Sequence, residues 1–144
     1  MVQETPLHQT DCPLCREDGG ELLWRDGFLR VVLADEPDYP GFCRVVLNRH
    51  VAEMSDLTPA ERVRLMEAVF AVEQAVRESL APDKVNLASL GNVVPHLHWH
   101  VVPRFRDDRH FPSPIWAAPA RVRGPSHALD LQALANRIAT RLSA

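Results

Sequence analysis

The sequence predicts an α+β domain: an antiparallel sheet carrying one main helix, with a second helix at the C-terminal end. Three observations predict it. Short apolar runs at 22–25, 28–33, 44–48, 84–90 and 96–103 are separated by turn-forming residues, the pattern of antiparallel strands. The stretch 59–80 carries apolar residues at helical spacing behind a complete start signal, and 128–142 repeats that spacing. The chain has 144 residues, enough for one core and too few for two ordinary domains.

Residues 1–20 have no periodicity and end in Gly19-Gly20. The first two strands read as a hairpin around Asp26-Gly27, a strong two-residue turn signal. Asp35 to Gly41, DEPDYPG, is dense in turn formers and reads as a loop before the strand at 44–48. Thr58 suits the helix N-cap, Pro59 the first helical position, and Glu61 closes a capping box. Leu65, Val69, Val72, Val76 and Leu80 form the apolar stripe, and Pro82 stands just past the end. Strand 84–90 is joined through the turn 91–95 to the strand 96–103. The residues from 104 to 125 hold four prolines and little periodicity, an ordered but irregular arm. Leu131, Leu134, Ile138 and Leu142 share one face of the last helix. The organisation is a single domain over 1–144, with a core at about 11–105, the arm at 106–125 and a helical segment at 126–144.

Hydrophobic residues make up 46% of the chain and charged residues 24%, with a net charge of -3. That balance fits a globular domain and excludes a long basic groove for nucleic acid. There is no apolar run of membrane-spanning length, and MVQETPLHQT lacks the basic and apolar regions of a signal peptide, so the expected location is the cytoplasm. Three cysteines is an odd count, which argues against a disulfide framework.

The chemistry concentrates in His96-Leu97-His98-Trp99-His100. On a strand, residues i, i+2 and i+4 share a face, so three imidazoles line up about 7 Å apart while Leu97, Trp99 and Val101 face a core. A neutral imidazole is a good nucleophile towards phosphorus, and a protonated neighbour can stabilise phosphate charge. The same pattern also suits a metal site or a solvated polar face. Cys12-Pro13-Leu14-Cys15 is a C-x-x-C pair, read alone as half of a zinc site, a redox motif, or two unliganded thiols. Cys43 reads as a small core residue.

The stretch from His96 to Val102 resembles the pattern of the histidine-triad family, and the following Pro103-Arg104 is similar to the branch containing dinucleoside polyphosphate hydrolases. Pro40-Gly41, the strand at 44–47, His50 and Gly91-Asn92 extend the resemblance. It implies a homodimer of joined sheets acting on the α-phosphate of a nucleotide substrate, with no cofactor needed for the chemistry. By position, His98 is the implied nucleophile and His100 the α-phosphate contact. Asp35 falls near the ribose-holding position, and Asn86 and Asn92 are candidate donors to phosphate oxygens. Arg104, with Arg106, Arg109 and His110, is a candidate for the distal phosphates, against a solvated mixed-charge loop with Asp107 and Asp108. In family members with a C-x-x-C pair, zinc takes its other ligands from the positions of His50 and His96, so Cys12, Cys15, His50 and His96 are the implied structural zinc site.

Two departures bear on substrate. Val93 stands where many members carry a hydroxyl that serves the leaving group, and Phe42 stands where a histidine follows Pro-Gly. Trp99 is expected in the core. Trp116, in the proline-rich arm, is expected either to fold over substrate or a second subunit or to pack locally. The expected activity is nucleotide hydrolysis through a nucleotidyl-histidine. A nucleotidyl transferase and a nucleotide-binding regulator with weak activity are the rival expectations.

Overall fold

The computed structural model describes residues 9–122, 124 and 127–143, so parts of the expected N-terminal segment, arm and C-terminal segment lie outside the described residues. The elements, in chain order, are α1 (Pro13–Arg16), β1 (Glu21–Arg25), β2 (Leu29–Leu33), β3 (Cys43–Leu47), a 3-10 turn (Met54–Asp56), α2 (Pro59–Leu80), β4 (Lys84–Ala88), β5 (His98–Arg104) and α3 (Leu131–Leu142). The five strands form one sheet in the order β1-β2-β3-β5-β4, and every neighbouring pair is antiparallel.

Local chemistry explains the boundaries. The β1–β2 connection is wider than the expected two-residue turn. Arg25 pairs with Arg30 in register, and the Asp26 carboxylate accepts from the amides of Phe28 and Leu29 at 2.7 and 2.8 Å. That side chain supplies acceptors that the turn backbone lacks. Helix α2 begins as its capping box requires: Thr58 accepts from the Glu61 amide at 3.2 Å, and Glu61 accepts from the Thr58 amide at 3.0 Å. Helix α3 starts three residues later than expected because Asp130 caps it, accepting from the Ala133 amide at 3.0 Å.

Alternation along paired strands gives the sheet two different faces. One carries Leu29, Val31, Cys43, Val45, Leu47, Val85 and Val101. These pack against Leu65, Val69, Val72 and Val76 of α2 and Leu134 and Ile138 of α3. This is the main core, and Cys43 lies inside it with Trp99 against its edge. The opposite face carries Arg30, Val32, Arg44, Val46, Asn86, His98, His100, Val102 and Arg104, by register. Irregular chain covers it at two ends. The N-terminal segment packs Cys12 and Leu14 on Val32 and Val46. The loop after β2 and the arm pack Tyr39, Phe42 and Ile115 on Val102. His98 and His100 sit between these two covers.

Candidate catalytic and metal site

The structure divides the three histidines that the sequence placed on one strand. Strand β5 begins at His98, and His96 lies in a bend just before it. The His96 ring is fully buried and meets Cys12, Cys15 and His50. The physical reason is the pairing at this end of the sheet. The Leu97 amide donates to the carbonyl of Val51 and the Leu47 amide to that of Leu97, which ties this turn to the segment carrying His50.

Cys12, Cys15, His50 and His96 bring one donor atom each to within 4.8 Å of one another. Cys12 Sγ lies 3.4 Å from His96 Nδ1, and Cys15 Sγ lies 3.4 Å from His50 Nδ1 and 3.5 Å from His96 Nδ1. Zn–S and Zn–N bonds at a tetrahedral centre place sulfur and nitrogen about 3.6 Å apart. His96 Nε2–H donates to the Leu47 carbonyl at 2.6 Å, which leaves Nδ1 as the lone pair facing the sulfurs. The donor set and the ring orientation therefore fit a four-coordinate Cys2His2 metal. Arg30, on β2, is buried at 3% exposure, and its sequence position signals nothing beyond a strand. Its guanidinium donates to the carbonyls of Leu14, Glu17, Asp18 and Leu47. It thereby ties the cysteine segment to the end of β3.

His98 is oriented by the main chain. Its Nδ1–H donates to the His96 carbonyl at 2.6 Å. Nε2 is then the unprotonated nitrogen, and the acceptor that the sequence leaves unidentified is this carbonyl. Ser89 Oγ donates to the His98 carbonyl at 2.9 Å and holds the same turn from the β4 side. Burial lowers the His98 pKa, the bond to His96 opposes that, and the Arg44 charge adds to the lowering.

His100 follows on the same face, its ring 4.9 Å from that of His98 and nearly perpendicular to it. Phe42 lies 5.6 Å from the His100 ring, and Trp116 presents an edge-on contact at 5.1 Å. Burial pushes the His100 pKa down to about 4, with His98 and Arg44 contributing. Its Nδ1 is buried without a hydrogen-bond partner among the described residues. Arg44 pairs in register with His100, half-buried, with its guanidinium 5.2 Å from the Phe42 ring. Sequence reasoning missed its role. The available signal was an arginine within an otherwise apolar strand.

The expected phosphate contacts divide. Asp35 and Asn92 are exposed, on the loop after β2 and the turn before His96. Asn86 and Arg104 are engaged with each other: Arg104 Nη1 donates to Asn86 Oδ1 at 2.8 Å. Arg104 is only 2% exposed. Its remaining donors meet Asp108 at 2.8 and 3.1 Å and the Ser113 carbonyl at 2.7 Å. The expectation that Arg104 reaches out to distal phosphates is corrected accordingly, because folding of the arm turns the guanidinium inward.

The solvated-loop reading of Asp107 and Asp108 holds for Asp107 and fails for Asp108, which is 5% exposed. The Asp108 carboxylate also accepts from the amides of Phe105, His110 and Phe111 and from the Tyr39 hydroxyl. Burial alone would raise its pKa, but Arg104 and these amides hold it down at about 2. Burial and the nearby Asp108 charge push the Tyr39 phenol up to about 12.

A buried imidazole of fixed tautomer, a second imidazole beside it and a Cys2His2 cluster at its back define a histidine-triad site. The HIT domain family model matches residues 17–107, and the chain belongs to this family. Among characterised relatives, it is 28% identical over 95 residues to the asymmetrical bis(5'-nucleosyl)-tetraphosphatase of Schizosaccharomyces pombe, covering 62% of this chain and 52% of that protein. It is 31% identical over 108 residues to the AP-4-A phosphorylase of Mycobacterium tuberculosis, covering 71% of this chain and 55% of that protein. The chain thus spans about half the length of these relatives. A crystal structure of a histidine triad protein from Bradyrhizobium japonicum superposes with a TM-score of 0.70 at 27% identity, covering 84% of this chain and 92% of that one. A Zn-bound histidine triad family protein from Mycobacterium smegmatis shares the fold, with a TM-score of 0.60 at 24% identity over 92% of this chain and 94% of that one. No helix among the described residues is long and apolar enough to cross a membrane.

Proposed function

We propose that the chain hydrolyses nucleotides at the α-phosphate through a nucleotidyl-histidine, with His98 as nucleophile. The observation that carries this is the 2.6 Å hydrogen bond from His98 Nδ1 to the His96 carbonyl, which leaves Nε2 to attack. Attack forms a P–N bond as the bond from phosphorus to the leaving group breaks. Water then displaces His98, breaks the P–N bond and releases a nucleoside monophosphate. The partly buried Arg44, opposite His100 in register, is a cation whose charge acts on both imidazoles, and it offsets the phosphate charge. His100 contacts the α-phosphate.

Val93 supports a reading of the leaving group. It is 93% exposed and carries no donor. A polyphosphate departs as a stable anion and needs no proton, whereas an amine does. The site therefore favours a dinucleoside polyphosphate over a nucleoside phosphoramidate. The names of the two relatives support a polyphosphate substrate, and the phosphorylase supports a second reading in which inorganic phosphate takes the nucleotidyl group from His98.

Cys12, Cys15, His50 and His96 would hold zinc, and the Zn-bound family member supports that reading. With four protein ligands the ion would supply cross-linking and would leave no position for water. The assembly we infer is a homodimer joined along β4, the edge strand next to β5, where Leu87 is exposed.

The test is release of AMP from diadenosine tetraphosphate and from an adenosine phosphoramidate, with and without added phosphate. Wild type is expected to release AMP, faster from the polyphosphate, and His98→Ala to release none above background. ADP appearing only when phosphate is added indicates the transferase. Full activity of His98→Ala would remove the assignment of the nucleophile.

A further inference from the structure

The two imidazoles of the site are held by different means. His98 has a hydrogen bond to the main chain, while His100 Nδ1 has no partner among the described residues. A ring without a hydrogen bond keeps its plane only through what packs on it. The contacts on His100 are the His98 ring at 4.9 Å, the Phe42 ring at 5.6 Å and the Trp116 ring at 5.1 Å. The first two come from the sheet and the loop after β2. The third comes from the arm, beyond residue 107 where the family match ends.

That arm is anchored, as its hydrogen bonds show. Asp108 fixes its start by accepting from the amides of His110 and Phe111. Arg104 Nη2 donates to the Ser113 carbonyl at 2.7 Å, three residues before Trp116. Arg121 Nη1 donates to the carbonyls of Asp108 and Phe111, and the amides of Ala120 and Arg121 both reach the Arg109 carbonyl. Ile115 packs with Tyr39, Phe42 and Val102. The indole is thus delivered from a segment pinned on both sides, although Trp116 itself remains 49% exposed.

We propose that Trp116 is a positioning residue for His100: the arm, anchored through Asp108 and Arg104, presses the indole against the imidazole and, together with Phe42, fixes the plane of a ring whose Nδ1 finds no hydrogen bond among the described residues. This rests on the reading of His100 as the α-phosphate contact. The charged or titratable groups facing His100 are His98 from β5 and Arg44 from β3; the loop and the arm contribute the uncharged rings of Phe42 and Trp116. Removing the indole leaves His98 and the Arg44 charge in place and admits water to the ring.

The experiment compares wild type, Trp116→Ala and Trp116→Phe by NMR titration of the His100 ring, assigned by its loss in His100→Gln, together with the kinetics of AMP release. Trp116→Ala is expected to raise the His100 pKa by about one unit or more, because desolvation is relieved. Its kcat falls about ten- to a hundredfold with KM changed less than about threefold, the pattern of a displaced catalytic group. Trp116→Phe restores most of both. A His100 pKa within about 0.3 unit of wild type in Trp116→Ala overturns the proposal. A rise in KM alone also overturns it, since that makes Trp116 a substrate contact. If the wild type releases no AMP from any substrate offered, the functional reading fails, while the titration still decides whether Trp116 governs His100.

Discussion

Asp108→Ala tests the network that joins the arm to the sheet. Arg104 and Asp108 are 2% and 5% exposed, and the carboxylate accepts two bonds from the guanidinium, three from amides and one from Tyr39. Removing one partner of a buried ion pair costs about 3–5 kcal/mol, because the other charge stays buried and unpaired. Water entering the vacated space serves some of the freed amides, so about 4 kcal/mol is the working figure. At this chain length, each kcal/mol moves the midpoint by about 2–4 °C, giving a fall of roughly 10–15 °C. Circular dichroism against temperature and urea reads it. Asp108→Asn, which keeps an acceptor and loses the charge, should lie between the variant and wild type. In a double-mutant cycle, adding Arg104→Met to Asp108→Ala should recover stability, because the unpaired charge is then gone. A loss under about 1 kcal/mol for Asp108→Ala, or a double variant weaker than the single one, would refute the reasoning.

Acid should unfold the protein in two stages. His100 has its pKa lowered to about 4, so stability falls as pH drops from about 6.5, where the unfolded imidazole takes up its proton, to about 4. Asp108 has its pKa lowered to about 2, so its contribution is full above about pH 4 and is lost towards about pH 2. Urea midpoints measured across pH 2–8 check both, and His100→Gln should shrink the upper stage, to which His98 with its lowered pKa also contributes, and leave the lower one. Native mass spectrometry should find one zinc ion per chain, and Cys12→Ser should lose it to a chelator that wild type resists; equal retention by both would place the ion elsewhere.

The elements were legible because their signals are local. Thr58, Pro59 and Glu61 start α2 with no help from the rest of the fold, and the apolar spacing of 65–80 already names its buried face. The cysteine pair and two histidines also come together as the family resemblance implies. The arm was not legible, because Asp107 and Asp108 are neighbours of the same type and only chain folding distinguishes them. Asp108 turns inward because Arg104 needs a counter-charge when the arm closes over it. Phe42 was visible as a departure, yet its contact with His100 depends on the loop after β2 meeting β5. The same holds for Arg44, whose place opposite His100 is a matter of strand register.

His96 serves two sites through different parts of itself. Its ring belongs to the sulfur cluster, and its peptide oxygen sets the tautomer of His98. A peptide oxygen is the same in every amino acid, so its service to His98 does not depend on which side chain residue 96 carries. Only the path of the chain must be kept. Mutation at this position therefore tests the cluster and the orientation of His98 separately: replacing the ring dismantles the first and leaves His98 its acceptor, provided the bend is held from elsewhere. Arg30 and Ser89, gripping the neighbouring segments, are the residues that hold it. A single substitution at residue 96 could thus dismantle the sulfur–imidazole cluster without first disturbing the orientation of His98.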